Sequence, residues 1–136
     1  MSILFTIVSI FYIAGIFLWA DSPIVEELSA FNPYSLLHIP LYGILTILLV
    51  LSRLPFSFVN QKNPRNQIDQ INFFMAGLTA FIVAVADEIH QAYVPGRNAS
   101  VTDVLLDLAG IVLVLIIVHH LRRKKVITLL GKWVIK

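Results

Sequence analysis

Four long stretches of the chain are apolar on every helical face, a pattern that leaves no side for water. The first, Ile3 to Ala20, has eighteen residues without an ionisable side chain. As a helix it is about 27 Å long, close to the thickness of a bilayer's hydrocarbon core. It stops at Asp21-Ser22-Pro23. The second runs from about Leu36 to Ser52, with His38 and Pro40 in its opening turns, where proline is least disruptive. From Arg53 to Asp69 two prolines and three asparagines replace the apolar pattern and predict a loop. A third span, 71–91, is apolar to Ala86 and ends in Asp87-Glu88-Ile89-His90-Gln91, before a turn at Pro95-Gly96. The fourth, 101–121, carries Asp103 and Asp107 in its first turns and stops at Arg122-Arg123-Lys124-Lys125.

Composition strengthens the membrane reading. Of 136 residues, 58% are hydrophobic and 13% charged, against roughly 45–50% and 25% in a soluble domain. That leaves too little polar surface to wrap a water-soluble enzyme. The expected fold is all-α, one polytopic membrane domain over 1–136 with four transmembrane helices and a basic tail, 122–136. With no cysteine, disulfides, thiol catalysis and cysteine metal sites are excluded. A cleaved signal peptide fits poorly, because the first segment lacks a basic leader and is long for a signal sequence. The net charge of +2 does not point to nucleic acid, since the basic residues cluster beside the spans.

Their distribution predicts orientation. Arg53, Lys62 and Arg65 lie between spans two and three, and Arg122, Arg123, Lys124, Lys125, Lys132 and Lys136 lie in the tail, nine of the ten cations. Arg97 alone belongs to the opposite side, where Asp21, Glu26 and Glu27 also fall. Cations near span ends stay on the cytoplasmic side, so both termini are expected there. Trp19, Tyr34 and Trp133 suit the aromatic belts, and His119 and His120 suit the inner interface. The segment after Lys125, mixed apolar and basic, suits the surface of the inner leaflet or a frayed end.

Ionisable residues inside a span cost about 2.5–3.5 kcal/mol each on insertion scales, and so call for partners or a function. Here they gather at one depth. His38 and Tyr42 share a face of span two; Asp87, His90 and Gln91 lie within about a third of span three's circumference, with Glu88 at its border. Asp103, Asp107 and Gly110 form one stripe on span four, where Gly110 permits close helix approach. The expected result is one polar pocket shared by spans two, three and four and opening to the outside, with Ser35 near it. Arg97, the outward cation, is placed to neutralise the carboxylates or to grip an anionic headgroup. Ser100 or Thr102 is expected to cap the fourth helix.

Three chemistries fit such a pocket. Asp87, Glu88 and His90 form a candidate acid–base set, and His38, Tyr42, Gln91, Arg97, Asp103 and Asp107 are candidate binding residues. Asp87, His90, Asp103 and Asp107 offer oxygen and nitrogen ligands to a divalent metal, but at spacings that match no single-helix metal signature, so no cofactor follows. A proton or ion path is disfavoured by the apolar inner halves of the spans.

The stretch ADEIHQAYVPGRNASVTDVLLDLAGIVLVLI, 86–116, together with LLHIPLYGILTILL, 36–49, resembles the VanZ-like membrane proteins. The resemblance falls on His38, Tyr42, Asp87, Glu88, His90, Gln91, Pro95, Gly96, Arg97, Asp103 and Gly110. It implies a small multispanning envelope protein, in a family whose named member lowers susceptibility to the glycopeptide teicoplanin. This chain has Ser35-Leu36 where the family often has Asp-Lys, and Asp107 where asparagine is common. The functional expectation is an outward pocket that binds, and in one reading modifies, a lipid headgroup or lipid-linked envelope molecule. The alternative is a non-catalytic binding or scaffold protein that shields a drug target or accompanies another membrane complex.

Reporter fusions test the orientation directly. Fusions at Pro64 and at the C-terminus are expected to report the cytoplasm, and those at Asn32 and Asn98 the outside; a cytoplasmic Asn98 overturns the outward placement of the polar residues.

Overall fold

The computed structural model describes residues 3–20, 22, 36–53, 66–95, 97 and 99–123. Several expectations lie outside these residues: those for Asp21, Glu26, Glu27, Tyr34, Ser35, Lys62, Arg65, Gly96 and Asn98, and for the tail from Lys124, including Trp133. Among the described residues every regular element is helical: α1 Ile3–Ala20, α2 His38–Arg53, α3 Asn66–Gln91 and α4 Val101–Arg123. Apolar segments meant for lipid have little alternative, because only a helix satisfies all of its own backbone hydrogen bonds without water.

α1 coincides with the expected span. α2 is preceded by a 3₁₀ turn at Leu36-Leu37 and extends one residue further than expected, to Arg53. α3 begins at Asn66, inside the stretch expected to be loop, and α4 continues to Arg123. Hydropathy marks the part of a helix that sits at bilayer depth, whereas the hydrogen-bond ladder runs on into polar flanks. In α3 the apolar portion is accordingly Gln70–Gln91.

α1, α3 and α4 are long and apolar enough to cross a membrane; α2, sixteen residues and about 24 Å, is shorter. Its position in the bundle explains its character. α2 packs against all three other helices, most extensively against α4. Half of its residues are buried: His38, Tyr42, Gly43, Leu45, Thr46, Leu49, Val50 and Ser52. A helix enclosed by its neighbours presents little surface to lipid and tolerates histidine, tyrosine, threonine and serine. α1 is the opposite case, burying only Ser9, Ile16 and Ala20. Several of its large side chains, among them Ile3, Leu4, Ile10 and Leu18, are exposed, as lipid-facing groups are.

Neighbouring chain segments run in alternate directions. Tyr12 of α1 donates to the Leu41 carbonyl of α2 at 3.0 Å, Arg53 of α2 reaches Thr79 of α3 at 3.1 Å, and His38 at the start of α2 meets Asp107 near the start of α4. The end of α1, the start of α2, the end of α3 and the start of α4 therefore share one end of the bundle. Small hydroxyl residues are satisfied within their own helices: Ser9 on Phe5, Thr46 on Tyr42 and Thr79 on Met75 each donate to the carbonyl four residues back. Pro40 falls in the first turn of α2, where its missing N–H is one of the groups without an intrahelical partner anyway.

Close approach between helices is set by small residues. Ala76, Ala80 and Ala84 form the buried stripe of α3, and a Cβ on Gly77 would press on Leu115 of α4. At Gly110 the constraint is stricter: a methyl there overlaps the backbone carbonyl of Ile39, which cannot swing aside as a side chain end can. Gly110→Ala is therefore expected to push α2 off α4 and to destabilise the fold by about 1–3 kcal/mol, whereas Gly15→Ala, with nothing within 4 Å of the added carbon, is neutral or stabilising. Thermal unfolding in detergent checks the pair, and equal melting temperatures contradict the close contact.

Candidate functional site

The shared end of the bundle carries a connected set of polar side chains, built turn by turn. His38 opens α2, and Tyr42 stands one turn later on the same face. Asp87, Glu88 and Gln91 close α3, and Asp107 lies in the second turn of α4. All six are buried: Tyr42 and Asp107 fully, and Asp87, Gln91, Glu88 and His38 to within 2–5% exposure.

Two chains of hydrogen bonds organise them. In the first, His38 Nδ1 donates to Asp107 Oδ1 at 2.8 Å, joining α2 to α4. In the second, Asp87 Oδ2 accepts both the Tyr42 hydroxyl at 3.2 Å and Gln91 Nε2 at 3.1 Å. Arg97 in turn donates to Gln91 Oε1. The cation expected to neutralise the carboxylates thus reaches Asp87 through an amide. Glu88 joins two helices instead. Its Oε2 accepts the Ser100 backbone N–H at 2.8 Å, pinning the start of α4 to the end of α3. Ser100 caps α4, its hydroxyl accepting the Asp103 N–H at 3.4 Å and its carbonyl the Val104 N–H at 3.3 Å. Thr102 lies inside the helix.

Most of the expected site residues come together, but not evenly. Asp87 and Gln91 are central, as their helical spacing predicts. Glu88, expected at the border, is among the buried core of the site, while His90 is only half-buried and stacks edge-on against Phe17 of α1, ring centroids 5.5 Å apart. The buried arc of α3 is displaced toward Glu88 because α4 packs on that side and α1 on the other. Asp103 is likewise half-buried and takes part through its backbone. Among the described residues, His38 and Asp107 form a buried imidazole–carboxylate pair. Donors that approach one another also differ from expectation. A ligand atom from each of His38, Glu88 and Asp107 lies within 4.8 Å of the others, whereas Asp87, His90 and Asp103 fall outside that group.

α1 contributes in a way that its hydropathy does not announce. A cavity of about 590 Å³ runs between α1 and α2, walled by Phe11, Tyr12, Gly15, Ile16, Trp19, Leu41 and Ile44, with His38, Asp87, Gln91 and Arg97 at its polar end. An apolar run without charges gives no sign of which face borders a void. Tyr12, whose hydroxyl finds the Leu41 carbonyl, ties α1 to α2 beside this cavity.

The fold and site together define a helical membrane protein with a buried polar centre at one end. A family model for VanZ/LLP1 matches residues 5–122, and the chain belongs to the VanZ/LLP1 family. No curated protein sequence and no solved structure shows significant similarity to it.

The His38–Asp107 pair is open to a double-mutant cycle. Removing one partner of a buried pair leaves the other uncompensated, so His38→Ala and Asp107→Ala are each expected to cost about 3–5 kcal/mol. The double variant costs less than their sum by about 1–3 kcal/mol. Additive losses in thermal or denaturant unfolding contradict the pairing.

Proposed function

We propose that this VanZ/LLP1-family membrane protein binds the headgroup of a lipid or lipid-linked envelope molecule in the outer leaflet, its chain portion lying in the cavity between α1 and α2. The observation that carries the reading is the cavity's two-part chemistry. Most of its wall is hydrocarbon and aromatic, while one end presents an imidazole, a carboxylate, an amide and a guanidinium. An amphiphile has the same two parts, and binding sites generally combine an apolar lining with a few placed polar groups. Arg97 is the residue suited to an anionic headgroup, because its planar fork matches phosphate or carboxylate oxygens. The distribution of lysine and arginine favours the outer side for this end.

Acid–base chemistry on the bound molecule is within reach of the His38–Asp107 couple, since His38 also borders the cavity. A part in glycopeptide resistance, implied by the family resemblance, follows if the bound molecule belongs to the envelope structure on which teicoplanin acts. Comparing lipid profiles of cells with and without the protein separates an enzyme from a binder: a new or vanished lipid species requires turnover.

Gly15 provides a clean test of the cavity. It lines the wall, and a Cβ there meets nothing within 4 Å, so Gly15→Leu is expected to place its bulk in that space. Full-length protein purified in mild detergent is expected to retain about one lipid per chain by mass spectrometry of its extract. Retention should drop by about tenfold, or roughly 1.4 kcal/mol, in Gly15→Leu and in Arg97→Gln, with unfolding temperatures unchanged in the first. Equal retention in all three proteins, or none in the wild type, overturns the proposal.

A further inference from the structure

We propose that His38, Glu88 and Asp107 bind one divalent transition-metal ion of the zinc or manganese class. The three residues come from α2, α3 and α4, so no local sequence pattern announces them. All three are buried, and one ligand atom from each lies within 4.8 Å of the other two. Three donors around one metal at about 2.0–2.2 Å stand about 3.3–3.8 Å apart. Side-chain shifts of up to about 1 Å therefore close the set.

A second observation points to a ligand independently of the clustering. Each carboxylate has one oxygen engaged and one that is not. Glu88 Oε2 accepts the Ser100 N–H and Asp107 Oδ1 pairs with His38. Glu88 Oε1 and Asp107 Oδ2 are buried with no hydrogen-bond partner among the described residues. A native fold rarely leaves such oxygens unsatisfied, and an ion is one of the standard reasons that it does. Charge points the same way: Asp87, Glu88 and Asp107 bring three carboxylates into one buried region. A doubly charged cation offsets that excess where water cannot.

The donor set selects among cations. Calcium and magnesium prefer six or more oxygens, whereas one imidazole nitrogen with two carboxylates is the mixture that zinc and manganese accept. Three protein ligands leave at least one coordination position for water or a bound molecule.

The test uses the full-length protein, purified without a histidine tag from cells supplied with zinc and manganese. Elemental analysis after gel filtration is expected to find about one zinc or manganese per chain, and the X-ray absorption spectrum of the bound metal a single imidazole among oxygen ligands. Affinity should fall by more than about tenfold in His38→Gln and in Glu88→Gln; the glutamine amide oxygen can still accept the Ser100 N–H, which protects the fold. It should hold in a His119→Gln, His120→Gln double variant, whose wild-type histidines are exposed near the far end of α4. No retained metal, two or more imidazoles in the spectrum, unchanged affinity in both single variants, or loss confined to the double variant each overturns the proposal. If neither single variant folds, the wild-type stoichiometry and spectrum decide the matter alone. Metal content and lipid retention are separate readouts: a Gly15→Leu protein that loses lipid and keeps metal leaves this site standing, and a metal-free protein that keeps lipid removes this site alone.

Discussion

The close seating of α2 on α4 governs everything built around it. Gly110 has no side chain, and the space it leaves is taken by the Ile39 carbonyl. With the two backbones that near, His38 and Asp107 meet at 2.8 Å. One turn further along α2, on the same face, Tyr42 is carried to Asp87 on α3. A bulkier residue at 110 separates the helices and with them every polar contact that spans them. The polar centre thus rests on a steric vacancy as much as on its hydrogen bonds.

That centre imposes a second constraint, on the arrangement of helices. Carboxylates buried at this depth are costly unless enclosed and partnered, and enclosure needs a helix surrounded by the others. α2 fills that role, which accounts for both its short length and its polar face. α3 contributes alanines along its buried stripe so that it can approach without bulk. The lipid-facing surfaces then fall to the outer helices, whose large apolar side chains point away from the centre, as in α1. Polar inside and apolar outside is the reverse of a soluble bundle and follows from the change of solvent.

The spans and the convergence of polar residues at one end were readable from the chain, because hydropathy reports depth and alternating directions follow from short connections. The helix ends were not, since α3 continues to Asn66 beyond its apolar portion. Facing was only half readable. A helical wheel groups Asp87, His90 and Gln91, but which flank is buried depends on where α1 and α4 pack. Glu88 went to the α4 side and His90 to Phe17 of α1. The two departures from the VanZ-like pattern bear on the same histidine. The acid often found just before it is replaced by Ser35-Leu36, and an acid stands at Asp107 where asparagine is common. The structure pairs that acid with His38.

α1 is where the chain says least and the structure adds most. Its sequence is nearly uniform in hydropathy, so no face is marked for contact. It buries only three residues, and Gly15 leaves a gap on the side toward α2. A helix packed so lightly leaves room beside it, and the cavity between α1 and α2 is that room. Its polar end is closed by His38, Asp87, Gln91 and Arg97, of which Gln91 joins Arg97 to Asp87. Gln91 therefore joins the polar end of the cavity to the buried network through one side chain, its amide nitrogen on Asp87 and its amide oxygen on Arg97.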